Sequence, residues 1–492
     1  MRLAYLAVDL GSASLRVMLG LLDEVDGVPH LTIREVHRLA NVPVPRPEGL
    51  GWDVPALWAG VLDGLRAGIA TADAAGATLR GIGVDAWGVD YARLDVGGSL
   101  RPFMRHHRDA DPVRAAQTSA TRDLPADYAL TGVLDQAINT SHQLRQDAAA
   151  GIGDPSDVIL LTADVFVHLL TGRVGAEPSL ASTTALVDAT TGDWADTLIA
   201  DAHVHLPGIV PTGASAGETT PEVTQAIGAR HPIPVWSVTA HDTAAAFSAV
   251  TDATDVGTGV VSSGSWAVVG VALAEPLLNE RARFGGFTQE IGVGGDTLLV
   301  KNLSGMWLLQ QTLREWAVAD GEAPGSLDTL LGLLADAERS TYRGRFDPAD
   351  PALQAPDDLA TRLADACAAS GAERPASRGD LVRAILDSLA TAWADTFDEI
   401  EQLTGVALER VRILGGGARG DLLCSLAAAR TGRTVIAGPI EASVRGVLLQ
   451  AAVAAGDLPS LAAVRGIAVD DGEGPDRSFP PPTRSEIQHG SA

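Results

Sequence analysis

The stretch LAYLAVDLGSASLR, residues 3–16, places an apolar run directly before a polar turn that contains Gly11. A second apolar run, VMLGLL, follows at residues 17–22. Short apolar runs bounded by turn residues are typical of buried strands, and two of them about one short turn predict a β-hairpin. The turn of this hairpin is the first candidate site.

This turn carries the groups that a phosphate needs. Gly11 lets the backbone approach phosphate oxygens closely, and Ser12 and Ser14 add hydroxyl donors. Arg16 adds a positive charge, and Asp9 can hold a magnesium ion through water. Taken alone, the stretch is equally consistent with a hairpin turn that binds nothing.

The same pattern starts again in the second half of the chain. After a turn at residues 257–259 the chain reads VVSSGSW at residues 260–266, and a return strand is predicted at residues 268–271. Two halves that each begin with strand, polar glycine turn and strand can clamp a polyphosphate. The boundary between them is predicted near residues 245–258, and a simple turn at 260–266 is the alternative.

A third glycine turn, GGGAR at residues 415–419, follows the apolar run VRIL at residues 411–414 and precedes an amphipathic segment that starts near Asp421. Three successive glycines remove every Cβ, which suits a flat ligand lying against the backbone, and a helix N-terminus supplies free N–H groups. The spacing is not the G-x-G-x-x-G fingerprint of dinucleotide sites. A loop shaped for packing alone is the alternative.

The segment His241-Asp242-Thr243 follows a predicted strand at residues 237–239. Ligands of α/β sheets bind outside the carboxyl ends of the strands. An aspartate at such a place can accept the proton of an attacking hydroxyl in phosphoryl transfer. The alternative is a helix cap, with Asp242 as the N-cap of an alanine-rich helix that begins near Thr243. Both roles can coexist.

Two further segments have the composition of a sugar-contacting surface: DAWGVD at residues 85–90 and RHHRD at residues 105–109. Hydroxyl-rich ligands are bound by aromatic faces together with a few placed polar groups. The pair His106-His107 is not interpreted as a metal site, because adjacent residues of a strand point to opposite sides. Lys301, the only lysine of the chain, precedes Asn302, and its use where arginine occurs everywhere else points to a specific role.

Composition limits the class of function. A chain of 492 residues is long enough for two large domains. Its 36 basic and 62 acidic side chains give a formal charge of −26, so nucleic acid and anionic membranes are not expected partners. Two distant cysteines, no signal peptide and no apolar stretch of about 20 residues predict a cytoplasmic protein. Helical spacing predicts helices at residues 55–70 and 380–402, and a loose tail is predicted from about residue 471.

Taken in this order, the motifs resemble the FGGY family of carbohydrate kinases. The resemblance covers nearly the whole chain up to about residue 465, and together its motifs are specific for the family. It is carried by AVDLG at 7–11, GVDAWGVD at 83–90, ASTT at 181–184, TGDW at 191–194, HDTA at 241–244, SSGSW at 262–266, KN at 301–302, GMWLLQ at 305–310, GGG at 415–417 and AGPIEA at 437–442.

The resemblance implies an α/β fold of two actin-like (ribonuclease H-like) ATPase domains around a central cleft. It assigns residues 1–250 to an N-terminal sugar-binding and catalytic domain, residues 251–465 to a C-terminal nucleotide-binding domain and residues 466–492 to a polar tail. ATP bound with Mg²⁺ is then the phosphoryl donor, and a small ketose is the phosphoryl acceptor. No nucleic acid and no membrane is an expected partner, and the chain is expected to be a monomer or a homodimer.

By the same resemblance, Asp242 is the general base that takes the proton from the C1 hydroxyl of the sugar, and Asp9 helps to place magnesium. The remaining implied site residues fall into a sugar group and a nucleotide group. The sugar group is Gly88, His241, Asp242, Thr243 and Asn302. The nucleotide group is Ser12, Ala13, Ser14, Leu15, Arg16, Ser265, Gln310 and Gly416.

The variants at residues 87–90 and 301–302 are similar to those of family members that convert L-rhamnulose to L-rhamnulose 1-phosphate in rhamnose catabolism. L-fuculose, L-ribulose and D-xylulose are the alternative ketoses. Two residues depart from the pattern: Leu15 stands where glycine is frequent, and His107 stands where tyrosine is usual. An ATP-switched chaperone or filament protein and a degenerate kinase that senses sugar are the alternatives from other classes. The first leaves Asp242 without a role, and the retained aspartates and glycine turns argue against the second.

Overall fold

The chain folds as two compact units, each assembled from several segments. The computed structural model describes residues 2–202, 204–322, 325–353, 355, 357–464 and 467–482. The first unit comprises Met1–Thr254, Ala272–Leu299 and Glu441–Gly474, and the second comprises Asp255–Val271, Val300–Ile440 and Pro475–Ala492.

Strands and helices alternate along the chain. The strands are β1 Leu3–Leu10, β2 Ser14–Val25, β3 Val28–Ala40, β4 Val44–Arg46, β5 Gly49–Gly51, β6 Thr78–Ala86, β7 Tyr91–Leu94, β8 Val158–Leu161, β9 Ser215–Glu218, β10 Pro234–Trp236, β11 Thr258–Ser263, β12 Trp266–Leu273, β13 Thr288–Ile291, β14 Thr297–Ser304, β15 Arg410–Leu414, β16 Thr434–Ala437, β17 Ala468–Asp470 and β18 Arg477–Phe479. The α-helices are α1 Val54–Ala74, α2 Pro112–Ser119, α3 Leu124–Thr131, α4 Thr140–Ala150, α5 Thr162–Thr171, α6 Pro178–Ser182, α7 Asp196–Ala202, α8 Pro221–Ala226, α9 Asp242–Ser248, α10 Glu280–Phe284, α11 Trp307–Asp320, α12 Leu327–Arg339, α13 Leu359–Ala369, α14 Arg378–Thr404, α15 Asp421–Thr431, α16 Ala442–Ala454 and α17 Leu461–Val464. Single 3₁₀ turns occupy His107–Asp109, Val293–Gly295, Pro351–Leu353 and Gly415–Arg419.

Two seven-stranded sheets repeat one arrangement. The first has the order β17-β3-β2-β1-β6-β10-β9, and the second has the order β13-β14-β12-β11-β15-β16-β18. In the first sheet β1 is antiparallel to β2 and parallel to β6. In the second, β11 is antiparallel to β12 and parallel to β15. The predicted repeat of strand, glycine turn and strand in the two halves is therefore confirmed.

Strand β1 is buried on both faces, which explains its unbroken apolar run. Leu6 and Val8 belong to the same buried cluster as Val61 of α1. The alternate residues Tyr5 and Ala7 belong to a second cluster with Val447 of α16. This period-two division between two covering helices is what a central strand of an α/β sheet requires. Each fully buried leucine or valine among them contributes about 1.5–3 kcal/mol, so the hairpin is anchored firmly.

Most local predictions are confirmed: the hairpin of β1 and β2, the helices α1 and α14, and the hairpin of β11 and β12 all lie where the sequence places them. The strand predicted at residues 237–239 is wrong, because the strand is β10 and ends at Trp236. The reason is the Gln450 side chain, whose Oε1 accepts from the Thr239 backbone N–H and hydroxyl, each at 2.8 Å. A side-chain amide thus replaces a strand partner.

The predicted domain limits at residues 250 and 465 remain a prediction, because they assign sugar binding and nucleotide binding to two parts of the chain. The structure divides the chain into compact units and does not assign a role to either. The first segment of the first unit ends at Thr254, and residues from 272 to 299 and from 441 to 474 also belong to that unit. Within the predicted tail, β17 pairs with β3 and β18 pairs with β16, so part of the tail is ordered in sheets. Residues 466 and 483–492 of that tail lie outside the described residues. Among the helices that the structure describes, none has both the length and the apolar character needed to cross a bilayer.

Candidate active site

Asp9 and Asp85 lie at one edge of the first sheet, next to the chain that leads to His241 and Asp242. Asp9 pairs directly with Asp85 across the parallel strands β1 and β6. The backbone N–H of Ala86 donates to the Ala240 carbonyl at 2.8 Å, which aligns the chain before His241 with the end of β6. The carboxyl ends of these neighbouring strands are where α/β sheets bind ligands.

Arg16 is held by two carboxylates of the first unit. Its Nε donates to Asp9 Oδ2 at 2.8 Å, and its Nη1 donates to Glu441 Oε2. Burial raises the pKa of Asp9, and the charge of Arg16 opposes that shift. Glu441 belongs to the AGPIEA segment, 425 residues further along the chain, and nothing in the sequence pattern pairs it with Arg16.

Asp85 is the least compensated carboxylate at this edge. Its side chain is fully buried, and neither carboxylate oxygen has a hydrogen-bond partner among the described residues. Burial, followed by the charges of Asp9 and Asp242, raises its pKa well above the usual range. An orphaned buried carboxylate of this kind is expensive, and such groups concentrate at functional sites.

His241 lies between two carboxylates. Its Nδ1 is 2.8 Å from Glu290 Oε2, and its Nε2 is 3.5 Å from Asp242 Oδ1. Burial disfavours the imidazolium, but the charges of Glu290, Asp242 and Glu177 outweigh this and raise the pKa of His241 to about 9. The side chain is therefore a cation at neutral pH.

Asp242 is the first residue of α9, and His241 is the N-cap, so the alternative that made Asp242 the N-cap is wrong by one position. The Thr243 backbone N–H donates to Asp242 Oδ1 at 2.5 Å, and the Thr243 hydroxyl is 3.2 Å from the same oxygen. The Asp242 side chain is 37% exposed, so it is accessible to a substrate. Its surroundings still raise the pKa of Asp242, by burial first, with the charge of His241 opposing.

A buried Glu177–Ser179 pair fixes the backbone before Asp242. The Ser179 hydroxyl donates to the Glu177 carboxylate. In turn, Ser179 Oγ accepts from the backbone N–H groups of Ala240 and His241, each at 3.0 Å. Glu177 precedes the ASTT motif and was not predicted to matter. Only the fold shows that it supports the chain at Asp242.

The two predicted sugar-contacting segments come together around Asp90. This buried carboxylate accepts from Trp52 Nε1 at 2.7 Å, Trp87 Nε1 at 2.8 Å and His107 Nδ1 at 3.0 Å. Its other oxygen accepts from Gln143 Nε2 at 3.2 Å. One aspartate thus orients two indoles and an imidazole. Trp52 was not predicted as part of the site, since a single tryptophan after a glycine carries no local signal.

The rings that Asp90 orients pack on one another. Trp52 lies 4.3 Å from Trp87 and stacks on His106 at 4.1 Å, both between ring centroids. His106 and His107 are 4.3 Å apart, so the prediction that they point to opposite sides is wrong, because a 3₁₀ turn starts at His107 where a strand was expected. Burial, followed by the charge of His107, lowers the pKa of His106 to about 4 and keeps this stacked ring neutral.

Gly88 lies in a strained turn. The Asp90 backbone N–H donates to the Gly88 carbonyl at 2.9 Å, and Val89 between them has a φ of 67°. This bond across a residue with positive φ defines a γ-turn, and the conformation is unfavourable for a β-branched side chain. Thr183 Oγ1 accepts from the Val89 N–H at 3.1 Å, and the Thr140 hydroxyl donates to the Val89 carbonyl at 2.7 Å. The turn persists because its surroundings hold it on both sides.

The hairpin turn before Arg16 presents its tip to solvent. Ser12 and Ala13 are exposed and Ser14 is half-buried. The side chain of Asn41 donates to the Gly11 carbonyl, and the Asn41 N–H donates to the Ala13 carbonyl, both at 3.0 Å. Leu15 differs from its neighbours, because its side chain is fully buried in the core. Any contact of Leu15 with a ligand is limited to its backbone.

The predicted site residues of the second unit lie near strand ends of the second sheet. Ser265 is exposed in the turn between β11 and β12, and its carbonyl accepts from the Trp307 N–H at 3.2 Å at the start of α11. Gln310 is exposed one turn further along that helix, and Asn302 is exposed on β14. Gly416 is exposed in the 3₁₀ turn that follows β15.

Family profiles match both halves of the chain. The N-terminal domain of the FGGY family of carbohydrate kinases matches residues 4–248, and its C-terminal domain matches residues 259–455. A rhamnulokinase of Bacteroides thetaiotaomicron is 30% identical over 473 residues, which are 94% of this chain and 93% of the relative. The chain belongs to the FGGY family of carbohydrate kinases. A rhamnulokinase of an Enterobacter species is 33% identical over 448 residues, 89% of this chain and 87% of that protein.

Solved structures of other kinases share the fold of this FGGY kinase. A xylulose kinase from Rhodospirillum rubrum superposes with a TM-score of 0.76 at 20% identity, covering 100% of this chain and 96% of that one. A glycerol kinase from Plasmodium falciparum with ADP gives 0.74 at 14% identity, covering 99% and 95%. The predicted α/β fold with two ATPase domains is thereby confirmed. The match to the FGGY family, and not the shared fold, shows that the protein is a carbohydrate kinase, a phosphotransferase with ATP as its donor.

Two carboxylates at this edge have the chemistry to hold a hydrated magnesium ion. Mg²⁺ keeps most of its waters and binds proteins through one or two carboxylates. Asp9 and the orphaned Asp85 offer such a pair on adjacent strands. Among the described residues no group of three or more His, Cys, Asp or Glu side chains is placed to hold a metal ion.

Proposed function

We propose that this carbohydrate kinase transfers the γ-phosphoryl group of ATP to the C1 hydroxyl of L-rhamnulose and releases L-rhamnulose 1-phosphate. The relatives named rhamnulokinase support the substrate, because the similarity extends over 94% of the chain. The observation that carries the chemistry is an accessible Asp242 whose carboxylate stands beside the cationic His241 at the edge of the sheet. L-fuculose, L-ribulose and D-xylulose are the other ketoses that the family leaves open.

Asp242 acts as the general base in this proposal. A sugar hydroxyl is a poor nucleophile, and a carboxylate within hydrogen-bond reach takes its proton as the bond to phosphorus forms. Burial raises the pKa of Asp242, which makes it a stronger base than an ordinary aspartate, while His241 opposes the shift and favours the ionised form. Thr243 holds one carboxylate oxygen through its N–H. The second oxygen is then the one that faces the sugar.

Gly88, His241, Thr243 and Asn302 complete the proposed sugar contacts. Gly88 has no room for a side chain, since an added Cβ would lie 2.9 Å from Thr183 Cγ2. The aromatic group that Asp90 orients supplies the flat faces on which the C–H surfaces of a sugar pack. His107 is the member of this group with a partly exposed ring, and its edge is where a different ketose would be distinguished.

The proposed nucleotide contacts come from turns in both units. In the first unit they are the backbone and hydroxyls of the turn Ser12, Ala13, Ser14 and Leu15, followed by Arg16. In the second unit they are Ser265, Gln310 and Gly416. When bound with ATP, magnesium would neutralise charge on the transferring phosphoryl group, and Asp9 with Asp85 would hold its waters. We propose that residues 1–250 form the sugar-binding and catalytic domain, which also carries the turn at Ser12 to Arg16, and that residues 251–465 form the nucleotide-binding domain.

ADP release with ATP and magnesium is measured against a panel of L-rhamnulose, L-fuculose, L-ribulose and D-xylulose. Strong stimulation by L-rhamnulose alone is the expected result. Stimulation by another ketose would retain the kinase mechanism and assign the sugar differently, through the surroundings of Trp87 and His107. Sugar-independent ATP turnover, or none at all, would contradict the proposal.

The proposed setting is the cytoplasm, where ATP is available and where Cys367 and Cys424, both buried and unpaired, stay reduced. The proposed assembly is a monomer or a homodimer. Light scattering coupled to size-exclusion chromatography determines the mass in solution, and a larger assembly would contradict this part of the proposal.

A further inference from the structure

Glu290 contacts His241, the neighbour of the proposed base Asp242, and belongs to none of the predicted motifs. It lies on β13, and its side chain is 10% exposed. Its Oε2 is 2.8 Å from Nδ1 of His241, whose other ring nitrogen faces Asp242 at 3.5 Å. The three side chains form a row of carboxylate, imidazolium and carboxylate. The row ends at Asp242, which is the general base in the proposed function.

The backbone on both sides of Glu290 is fixed within the first unit. The Gln289 N–H donates to the Gly132 carbonyl at 2.9 Å, at the end of α3. The Ile291 N–H donates to Ser182 Oγ at 3.0 Å, at the end of α6. Glu290 is therefore placed as firmly as His241, whose own N–H is bonded to Ser179. Most surface ion pairs between mobile side chains lack this preorganisation.

We propose that Glu290 is a positioning residue for phosphoryl transfer, which holds the His241 ring by ion pairing so that the imidazolium stays beside Asp242 and keeps that base oriented toward the sugar hydroxyl. The inference rests on the proposed role of Asp242 in catalysis. Glu290 touches His241 and acts through it, as the outer carboxylate does in other carboxylate–histidine pairs.

The charges around the row determine its pH behaviour. His241 faces Glu290, Asp242 and Glu177, and without Glu290 the burial of the ring would favour its neutral form more strongly. Burial raises the pKa of Asp242, the charge of His241 opposes this shift, and the charge of Glu290 adds to it. Burial also raises the pKa of Asp9 and of Asp85, and the negative charge of Asp242 raises each of them further. Removing the negative charge of Glu290 therefore lowers the pH at which His241 loses its proton. Above that pH the ring no longer presents a cation to Asp242.

The test compares the full-length protein with Glu290→Gln, which keeps the size of the side chain but removes its charge, and with Glu290→Asp, which keeps the charge. The control is Glu280→Gln, because Glu280 is exposed on α10 and forms its ion pair with Arg283 on the same helix. Two quantities are measured for each: the ring titration of His241 by NMR without substrate, assigned with His241→Asn, and the pH profile of kcat/KM for the ketose.

For Glu290→Gln we expect the His241 titration to move from about 9 toward acid by at least about one pH unit, the alkaline limb of kcat/KM to move with it, and kcat/KM to fall about twofold or more at pH 8. Glu290→Asp should recover part of both shifts, and Glu280→Gln should match the unaltered protein. Circular dichroism checks the fold of every variant.

A His241 titration that is unchanged in Glu290→Gln would overturn the inference, and so would a shifted titration with an unchanged pH profile. If the unaltered protein phosphorylates no ketose, the proposed function fails and the positioning role fails with it. A shifted NMR titration would then describe only a structural ion pair, so the two failures are distinguishable.

Discussion

Asp9 and Asp85 lie directly opposite each other on the neighbouring parallel strands β1 and β6. Arg16 compensates Asp9 with two hydrogen bonds from one side of the turn. Asp85 has no such partner among the described residues, although its side chain is fully buried. Two buried carboxylates side by side do not stabilise the folded state. The pair is best explained by a role in binding, and a hydrated magnesium ion is the ligand that we propose.

Replacing Asp85 by asparagine should stabilise the magnesium-free protein and impair the enzyme. The variant removes a buried ionisable group without a partner, so we expect the melting temperature at pH 8 to rise by about 1–2 °C, which corresponds to about 1 kcal/mol in a unit of roughly 300 residues. The magnesium concentration for half-maximal activity should rise as well. Differential scanning fluorimetry and a magnesium titration measure the two effects.

The pH dependence of this gain has a definite sign. The folded pKa of Asp85 is raised, so its protonated form stabilises the fold at low pH and this contribution is lost as pH rises through the folded pKa. The gain of Asp85→Asn should therefore be smaller at pH 4 than at pH 8. Asp63→Asn is the control, since that side chain is 60% exposed on α1. An equal gain at both pH values would contradict the assignment of the buried charge.

Asp242→Asn should abolish most turnover while ATP still binds. General base catalysis contributes about 10²–10⁴-fold, so kcat should fall at least that far. The fold should be retained, because asparagine can accept from the Thr243 N–H as aspartate does. Coupled ADP release measures kcat, and calorimetry measures ATP affinity. Near-normal turnover in this variant would refute the role of Asp242.

Asp90→Ala should weaken both the fold and sugar binding. Two indole N–H groups and the imidazole of His107 would lose their common acceptor in a buried position, at a cost of about 2–5 kcal/mol. Since the rings then lose their orientation, KM for the ketose should rise about tenfold or more, with KM for ATP nearly unchanged. Asp90→Asn keeps one oxygen for these donors and should be milder.

Thermal unfolding followed by tryptophan fluorescence reports on the fold of the Asp90 variants, and initial rates give the two KM values. Asp63→Ala is the matched control for loss of an aspartate. Equal effects on KM for sugar and for ATP would show that Asp90 supports the whole unit rather than the sugar surface.

Two adjacent glycines of the second unit allow the proposed nucleotide contact to be tested separately from packing. An added Cβ at Gly416 meets nothing within 4 Å among the described residues, whereas at Gly417 it would lie 2.1 Å from Ser263 Oγ. Gly416→Ala should therefore raise KM for ATP several-fold with an unchanged melting temperature. Gly417→Ala should lower the melting temperature, because Ser263 on β11 must shift. Unchanged KM for ATP in Gly416→Ala would remove Gly416 from the nucleotide site.

Local patterns in the sequence were sufficient for the elements that carry the site. The apolar run before Asp9, the helix α14 and the repeated hairpin at Ser265 are confirmed, because period and turn residues are local properties. The strand before His241 was misplaced because Gln450, far along the chain, takes the backbone groups that a ladder would use. The 3₁₀ turn at His107 was likewise missed, since a short basic run has no period.

The sequence by itself determined the family, the two repeated hairpins and the residues that the motifs contain, from Asp9 to Gly416. Only the tertiary structure decided how those residues are supported: Glu290 beside His241, Glu441 on Arg16, and Trp52 on Asp90. The physical reason is that a motif records the chemistry of neighbouring residues. Contacts between distant residues depend on strand order, register and the packing of helices on the sheets, and no short stretch of sequence contains these.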